Sequence, residues 1–174
     1  MFQLHTSRLR LIPLNTEQLI LFKNDRQSMQ KAIGLNPTDF LMDPDFAKEL
    51  NEDTFNYWID HTIANPAHYR WFTNWVIILT EENREIGGIG VGNLPDEKGE
   101  VMTGYVIDDR YHNQGFASEA LQALMQWMQE NPDLKAIIAD TPLDNYPSQR
   151  VLQKSGFVER SRDEEIVRWE YLVD

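Results

Sequence analysis

Asp108-Asp109-Arg110-Tyr111-His112-Asn113-Gln114-Gly115-Phe116-Ala117-Ser118-Glu119-Ala120-Leu121 joins an apolar, strand-like run at 101–107 to a helical pattern. Ala117, Leu121, Leu124 and Met128 recur at i, i+4, i+7 and i+11, which places them on one helix face, and Asn131-Pro132 closes that helix. The turn between strand and helix is short, polar and carries one glycine. The first N–H groups of a helix have no intrahelical partner, and they sit at the positive end of its dipole. Together they make an anion site. Gly115 has no Cβ to keep a phosphate from the backbone. The turn therefore reads as a pyrophosphate cradle at 113–118.

Working outward, 174 residues are enough for one domain with a substantial core, expected to span 1–174. There is no cysteine, so disulfides, thiolate metal sites and a cysteine nucleophile are excluded, which fits a reducing cytoplasm. The four histidines (His5, His61, His68, His112) form no ligand pair at metal-binding spacing, so no metal is expected. No run reaches membrane-spanning length and no signal-peptide pattern opens the chain. Acidic side chains number 28 against 16 basic ones, and a net charge of −12 disfavours nucleic acid as a partner.

Residues 6–14 alternate polar and apolar and read as a first strand ended by Pro13. A helical pattern starts at Thr16 and runs weakly to Ile33. Between Gly34 and Arg70 the chain is irregular, with turns at Asn36-Pro37, Asp43-Pro44 and Asn65-Pro66. Residues 45–52 and 53–64 look helical there, with Phe55, Trp58, Ile59 and Ile63 as an apolar face. The same segment carries Asp39, Asp43, Asp45, Glu49, Glu52, Asp53 and Asp60 against Lys48 and Arg70. Its acidic face suits either an entrance for an amine or an ordinary wet helix surface. Strands two and three are expected at 71–79 and 86–91 around a hairpin turn, strand four at 100–107, and strand five, buried and parallel, at 135–141. Two last strands follow at 158–159 and 166–173. No Lys-Ser/Thr follows the glycines at 87, 88, 90 and 92, so they are not a phosphate loop.

Three landmarks resemble the GCN5-related N-acetyltransferases (GNAT), and the branch resembled is the RimJ/RimL-like one. Residues 112–117, His-Asn-Gln-Gly-Phe-Ala, are similar to the acetyl-CoA signature (Gln/Arg)-x-x-Gly-x-(Gly/Ala), with His112 and Asn113 as the departures. The opening Thr-x-Arg-Leu-x-Leu-x-Pro-Leu at 6–14 resembles the branch's first strand. Residues 145–157 fit its Asn-x-x-Ser-x-x-(Val/Leu)-Leu-x-Lys-x-Gly-Phe helix. In that helix Asn145 is also a natural N-cap and Gly156 suits the position after its end.

The resemblance implies an α/β (α+β) domain, a mixed sheet of about seven strands flanked by helices, with acetyl-CoA at a splay between strands four and five. Its implied contacts are His112, Asn113, Gln114, Gly115, Phe116, Ala117 and Ser118 at the pyrophosphate, Val106 and Ile107 at the pantetheine and thioester, and Asn145 with Ser148 beside the thiol. Ser148 is the implied proton donor to the thiolate, Tyr146 its alternative, and Glu100, at the start of strand four, a general-base candidate. The implied reaction is direct acetyl transfer in a ternary complex to a primary amine. A protein N-terminal α-amine, a small amine such as a polyamine, aminoglycoside or amino acid, and a non-catalytic acyl-CoA-binding module stay open, as does a homodimer. A Gly-x-Ser-x-Gly elbow is absent, which argues against a hydrolase.

Overall fold

The computed structural model describes residues 1–173, apart from the side chains at 45 and 46. One sheet runs in the order β1-β2-β3-β4-β5-β6-β8-β7. Its strands are β1 (Leu4–His5), β2 (Leu9–Pro13), β3 (Asn74–Leu79), β4 (Arg84–Val91), β5 (Glu100–Ile107), β6 (Ala136–Pro142), β7 (Val158–Arg162) and β8 (Ile166–Leu172). The helices are α1 (Thr16–Asn24), α2 (Arg26–Ala32), α3 (Pro44–Ala47), α4 (Glu52–Ala64), α5 (Phe116–Met128) and α6 (Tyr146–Lys154).

Neighbouring strands are antiparallel except β5 and β6, which run parallel because α5 carries the chain back across the sheet. Their pairing is short. It joins Glu100 to Ala136, Val101 to Ile137 and Met102 to Ile138, and stops there while both strands continue. This is the splay expected between strands four and five, and it opens toward the start of α5.

The sheet is covered on both faces. On one, Trp75, Ile77, Ile89, Val101 and Ile107 meet Leu121, Leu124 and Met128 of α5. Leu121 and Leu124 are wholly buried, so cutting either to Ala costs about 2–5 kcal/mol. On the other face, Val76 and Ile78 meet Leu19 and Phe22 of α1, Met29 of α2 and Phe55 of α4. Two buried carboxylates fasten the edges of this second layer. Glu85 accepts hydrogen bonds from Arg26 (2.7 and 3.1 Å) and from Gln30 (2.5 Å), tying α2 to β4. Asp108 accepts from the Leu41 N–H at 3.0 Å and from Arg110 at 2.9 and 2.7 Å, tying the 38–41 segment to the end of β5.

Four details differ from the expectation. The sheet has eight strands, because Leu4 and His5 pair with Leu11 and Arg10 before a turn closed by the Leu9 N–H to Thr6 Oγ1 bond. The pattern from Thr16 to Ile33 is two helices, broken at Asp25, whose extended backbone lets its carboxylate cap α2 at the Ser28 N–H. Residues 45–52 contain only the short α3 and the start of α4. Along α4 the buried seventh position after Phe55 is Thr62, bonded to Thr16 Oγ1 and the Ile59 carbonyl, whereas Ile63, a further 100° round, is exposed. The side chain of Asp45, counted with that segment's acids, lies outside the described residues.

Candidate active site

The start of α5 is open to an anion. Gly115 stands at the N-cap with φ 83°, and no side chain caps the helix. Asn113 also has positive φ, at 60°, a conformation Asn tolerates better than most residues. The first backbone bond into the helix is from the Glu119 N–H to the Gly115 carbonyl at 3.1 Å. The N–H groups of Phe116, Ala117 and Ser118 therefore have no intrahelical partner. His112, Asn113, Gln114 and Gly115 are exposed, while Phe116 is buried and anchors the helix. A Cβ placed on Gly115 would meet only one heavy atom within 4 Å, Nη2 of Arg8 at 3.5 Å. A pyrophosphate fits such a turn: free donors, a bare backbone and an adjacent cation.

That cation is Arg8, which the sequence pattern placed only within the 6–14 strand. Arg8, in the turn before β2, donates through Nε and Nη2 to Glu119 (both 2.7 Å) and through Nη1 to the Gln114 carbonyl at 3.1 Å. Its guanidinium also lies 4.3 Å from the Phe116 ring centroid. Thr6 Oγ1 adds a 2.6 Å bond to Glu119. Burial works to raise the Glu119 carboxyl, but the Thr6 and Arg8 bonds outweigh it and hold it below its ordinary value. The N-terminal hairpin is thus bolted to the cradle.

His112 turns back to β5. Its Nε2 lies 2.7 Å from the Ile107 carbonyl, which can only accept, so Nε2 carries a proton. Asp109 lies 3.6 Å from the same nitrogen.

In an antiparallel ladder every second residue turns both backbone groups to its partner strand. The Gly92 N–H to Met102 carbonyl and Asp108 N–H to Ile86 carbonyl bonds fix which ones on β5 face β4. With the register Gly90 to Gly104 and Gly88 to Val106, those are Met102, Gly104, Val106 and Asp108. Val106 therefore has its backbone groups on the β4 side. The groups of Tyr105 and Ile107 face the splay, with the Ile107 carbonyl already taken by His112.

Across the splay, Asn145 caps α6 by accepting from the Ser148 N–H at 3.1 Å. The Ser148 Oγ lies 2.9 Å from the Tyr105 hydroxyl, which also reaches the Ser148 carbonyl at 3.1 Å. Burial pushes the Tyr105 phenol up to about 12, with the Ser148 bond pulling the other way, so it is protonated at any physiological pH. Tyr105 is not among the site residues expected from the sequence. Its alternation onto the α5/α6 face was the available signal. Tyr146 is 64% exposed and borders a surface hollow with Gln149, Arg150 and Gln153. Glu100 sits at the closed end of the β5–β6 pair, where Arg160 donates to it at 3.0 Å. It is five residues along β5 from Tyr105, roughly 17 Å, and is not brought to Ser148. No group of three potential metal ligands occurs among the described residues, and no helix among them is long and apolar enough to cross a membrane.

Comparison with known proteins identifies the family. The acetyltransferase (GNAT) domain model matches residues 8–158. The uncharacterized N-acetyltransferase YjdG of Bacillus subtilis is 27% identical over 174 residues, 99% of each chain. The ribosomal-protein-serine acetyltransferase of Escherichia coli is 28% identical over 91 residues, 52% of this chain and 50% of its own. Among solved structures, the ribosomal-protein-S5-alanine acetyltransferase from Vibrio fischeri superposes with a TM-score of 0.69 at 16% identity, over 99% of this chain and 97% of the other. The chain belongs to the GNAT family of N-acetyltransferases, whose acetyl donor is acetyl-CoA.

Proposed function

We propose that the acceptor is the free α-amino group of a polypeptide N-terminus. The observation that carries this reading is the pairing at the thiol end of the splay, where two neutral hydroxyls, Tyr105 and Ser148, meet and Glu100 is held elsewhere by Arg160. An α-amine with a pKa of about 7.7–8.0 is partly neutral at pH 7 and needs little help from a base, whereas a lysine near about 10.4 needs a strong one. The names of the E. coli and V. fischeri proteins, which specify ribosomal-protein serine and alanine, support the same class of acceptor.

Acetyl-CoA supplies the acetyl group as a thioester. The N–H groups at 113–118 would hold its pyrophosphate, with Arg8 keeping the turn in shape. The free backbone groups of Tyr105 and the Ile107 N–H would pair with the pantetheine arm and polarise the carbonyl, a donor whose loss typically costs about 2.7–4 kcal/mol. As the C–N bond forms and the C–S bond breaks, Ser148, oriented by the Tyr105 hydroxyl, passes a proton to the thiolate and is restored by the proton the acetylated amine sheds. A thiol with a pKa of roughly 8.5 needs only a weak acid.

The acidic residues Asp39, Asp43, Glu49, Glu52, Asp53 and Asp60 favour a second reading, a polycationic small amine. Thiol release from acetyl-CoA, measured with peptides bearing free N-terminal Ser or Ala, N-terminally blocked peptides containing Lys, and spermidine, separates the two. Free-terminus peptides should be used at least tenfold better than either competitor. Preference for spermidine or for the blocked lysine peptide would overturn the proposal.

A further inference from the structure

Asn74 is a polar residue at the head of the strand Asn-Trp-Val-Ile-Ile-Leu, whose other five members are apolar and buried. It is only 8% exposed, and its Nδ2 has no hydrogen-bond partner. A buried donor without a partner is costly, and such groups in folded proteins have a reason to be there. Alternation puts Asn74 with Val76 and Ile78, on the sheet face covered by α1, α2 and α4.

What surrounds it is bare backbone. The Asn74 amide lies over Gly88, close enough that a Cβ there would stand 2.6 Å from Oδ1 and 3.4 Å from Nδ2. The rungs Asn74 to Gly90, Gly90 to Gly104 and Gly88 to Val106 place Gly88, Gly90 and Gly104 on the same face. Burial falls away along this row: Gly88 is buried, Gly90 half-buried, and Gly104 exposed with nothing within 4 Å of where a Cβ would be. Tyr57 of α4 closes one end by donating to the Gly92 carbonyl. The 38–41 segment closes the other, held by Asp108 and by Arg110 bonding the Asp39 carbonyl at 2.6 Å. The result is a row of bare backbone from Asn74 to β5, covered at Gly90 by the Thr73 carbonyl, 2.9 Å from where a Cβ would stand, and open at Gly104.

Resting on the α-amine reading above, we propose that Asn74 is a specificity residue that donates to the first carbonyl of the acceptor peptide. The amide N–H₂ can only donate, so it suits a ligand carrying an oxygen acceptor one residue beyond the reactive amine. A polyamine offers no such acceptor, because its protonated nitrogens donate only. A side chain at Gly88 would run into the Asn74 amide itself, and one at Gly104 would stand in open space at the β5 end of the row.

The test is steady-state kinetics with acetyl-CoA and the tetrapeptide amide Ser-Ala-Ala-Ala, on the wild type, Asn74→Ala and the near-isosteric Asn74→Leu, with thermal unfolding alongside. Wild type should acetylate the peptide. Asn74→Ala should lower kcat/KM for it by about tenfold or more, chiefly through KM, while KM for acetyl-CoA stays within twofold and the melting temperature does not fall. Asn74→Leu, which keeps the shape and loses the donor, should show the same selective loss, and it stands in if the alanine variant does not fold. Peptide kcat/KM within threefold of wild type in a folded variant would overturn the role of Asn74 and leave the α-amine reading standing. A wild type that acetylates spermidine and not the peptide would overturn both.

Discussion

The phenol of Tyr105 and the hydroxyl of Ser148 lie 2.9 Å apart across the splay, although 43 residues separate them in the chain. One sits on the last strand before α5, the other in the first turn of α6, so the contact ties the two sides of the splay together. If Ser148 carries the proton and Tyr105 positions it, their removal has unequal effects. Ser148→Ala should lower kcat by about 100-fold, the low end for a positioned acid. Tyr105→Phe should lower it by about 3- to 10-fold, in line with one hydrogen bond of about 1 kcal/mol. KM for acetyl-CoA should change less than twofold in both, since the cradle is untouched. Equal losses in the two variants would show that Tyr105 does more than orient.

The same phenol makes a stability prediction at high pH. Burial raises it from 10.0 to about 12. The unfolded chain releases that proton near pH 10 while the folded chain keeps it, so the stabilisation is complete below pH 10 and is lost as pH climbs to about 12. The stability difference between wild type and Tyr105→Phe should therefore shift by roughly 1.5–2 kcal/mol against the wild type between pH 9.5 and 11.5. Tyr57 and Tyr111 are also raised by burial, and subtracting the variant cancels them. Urea unfolding at pH 9.5 and 11.5 reads the shift directly.

Arg8 should matter to cofactor binding through geometry. Its paired bonds to Glu119 and its bond to the Gln114 carbonyl hold the turn that presents the N–H groups. Arg8→Ala should raise the acetyl-CoA dissociation constant by about 5- to 20-fold, and Arg8→Lys should recover little of it, because an ammonium cannot reproduce a planar fork. Gly115→Trp, which fills the cradle, should abolish binding in calorimetry. Arg8→Lys binding as tightly as wild type would reduce Arg8 to a simple charge.

Arg26 and Glu85 give a prediction about folding. Glu85 is fully buried and Arg26 is its charge partner. Arg26→Met leaves a buried carboxylate with only Gln30, and should cost about 3–5 kcal/mol by chemical denaturation. The double variant Arg26→Met/Glu85→Leu should recover most of that loss, as buried pairs replaced by apolar residues often do.

Much of the fold was legible because its signals are local. The helical period from Ala117 to Met128 and the single glycine at 115 marked the strand-turn-helix unit, and Asn145 and Gly156 bracketed α6. The break at Asp25 was not legible, since Asp is common on exposed helix faces and nothing local says that this one extends its backbone and caps. Ile63 was misplaced because one residue's step along a helix turns a side chain by 100°, enough to move it out of a narrow buried stripe.

The sequence by itself determined that this chain carries a short polar turn with one glycine at a helix start, a parallel β5–β6 unit and the motifs of an acetyltransferase. The first two depend on backbone preferences and on periods of two and 3.6 residues, which neighbouring residues encode; the motifs were recognised by their resemblance to a known family. Only the tertiary structure decided that Tyr105 and Ile107, and not Val106, turn their backbone to the splay. It alone decided that Arg8 reaches the cradle, that Tyr105 meets Ser148, and that Asn74 lies buried over Gly88. A one-residue change of strand register would reverse each choice on β5, and register is set by packing across the whole sheet, which no short stretch of sequence contains.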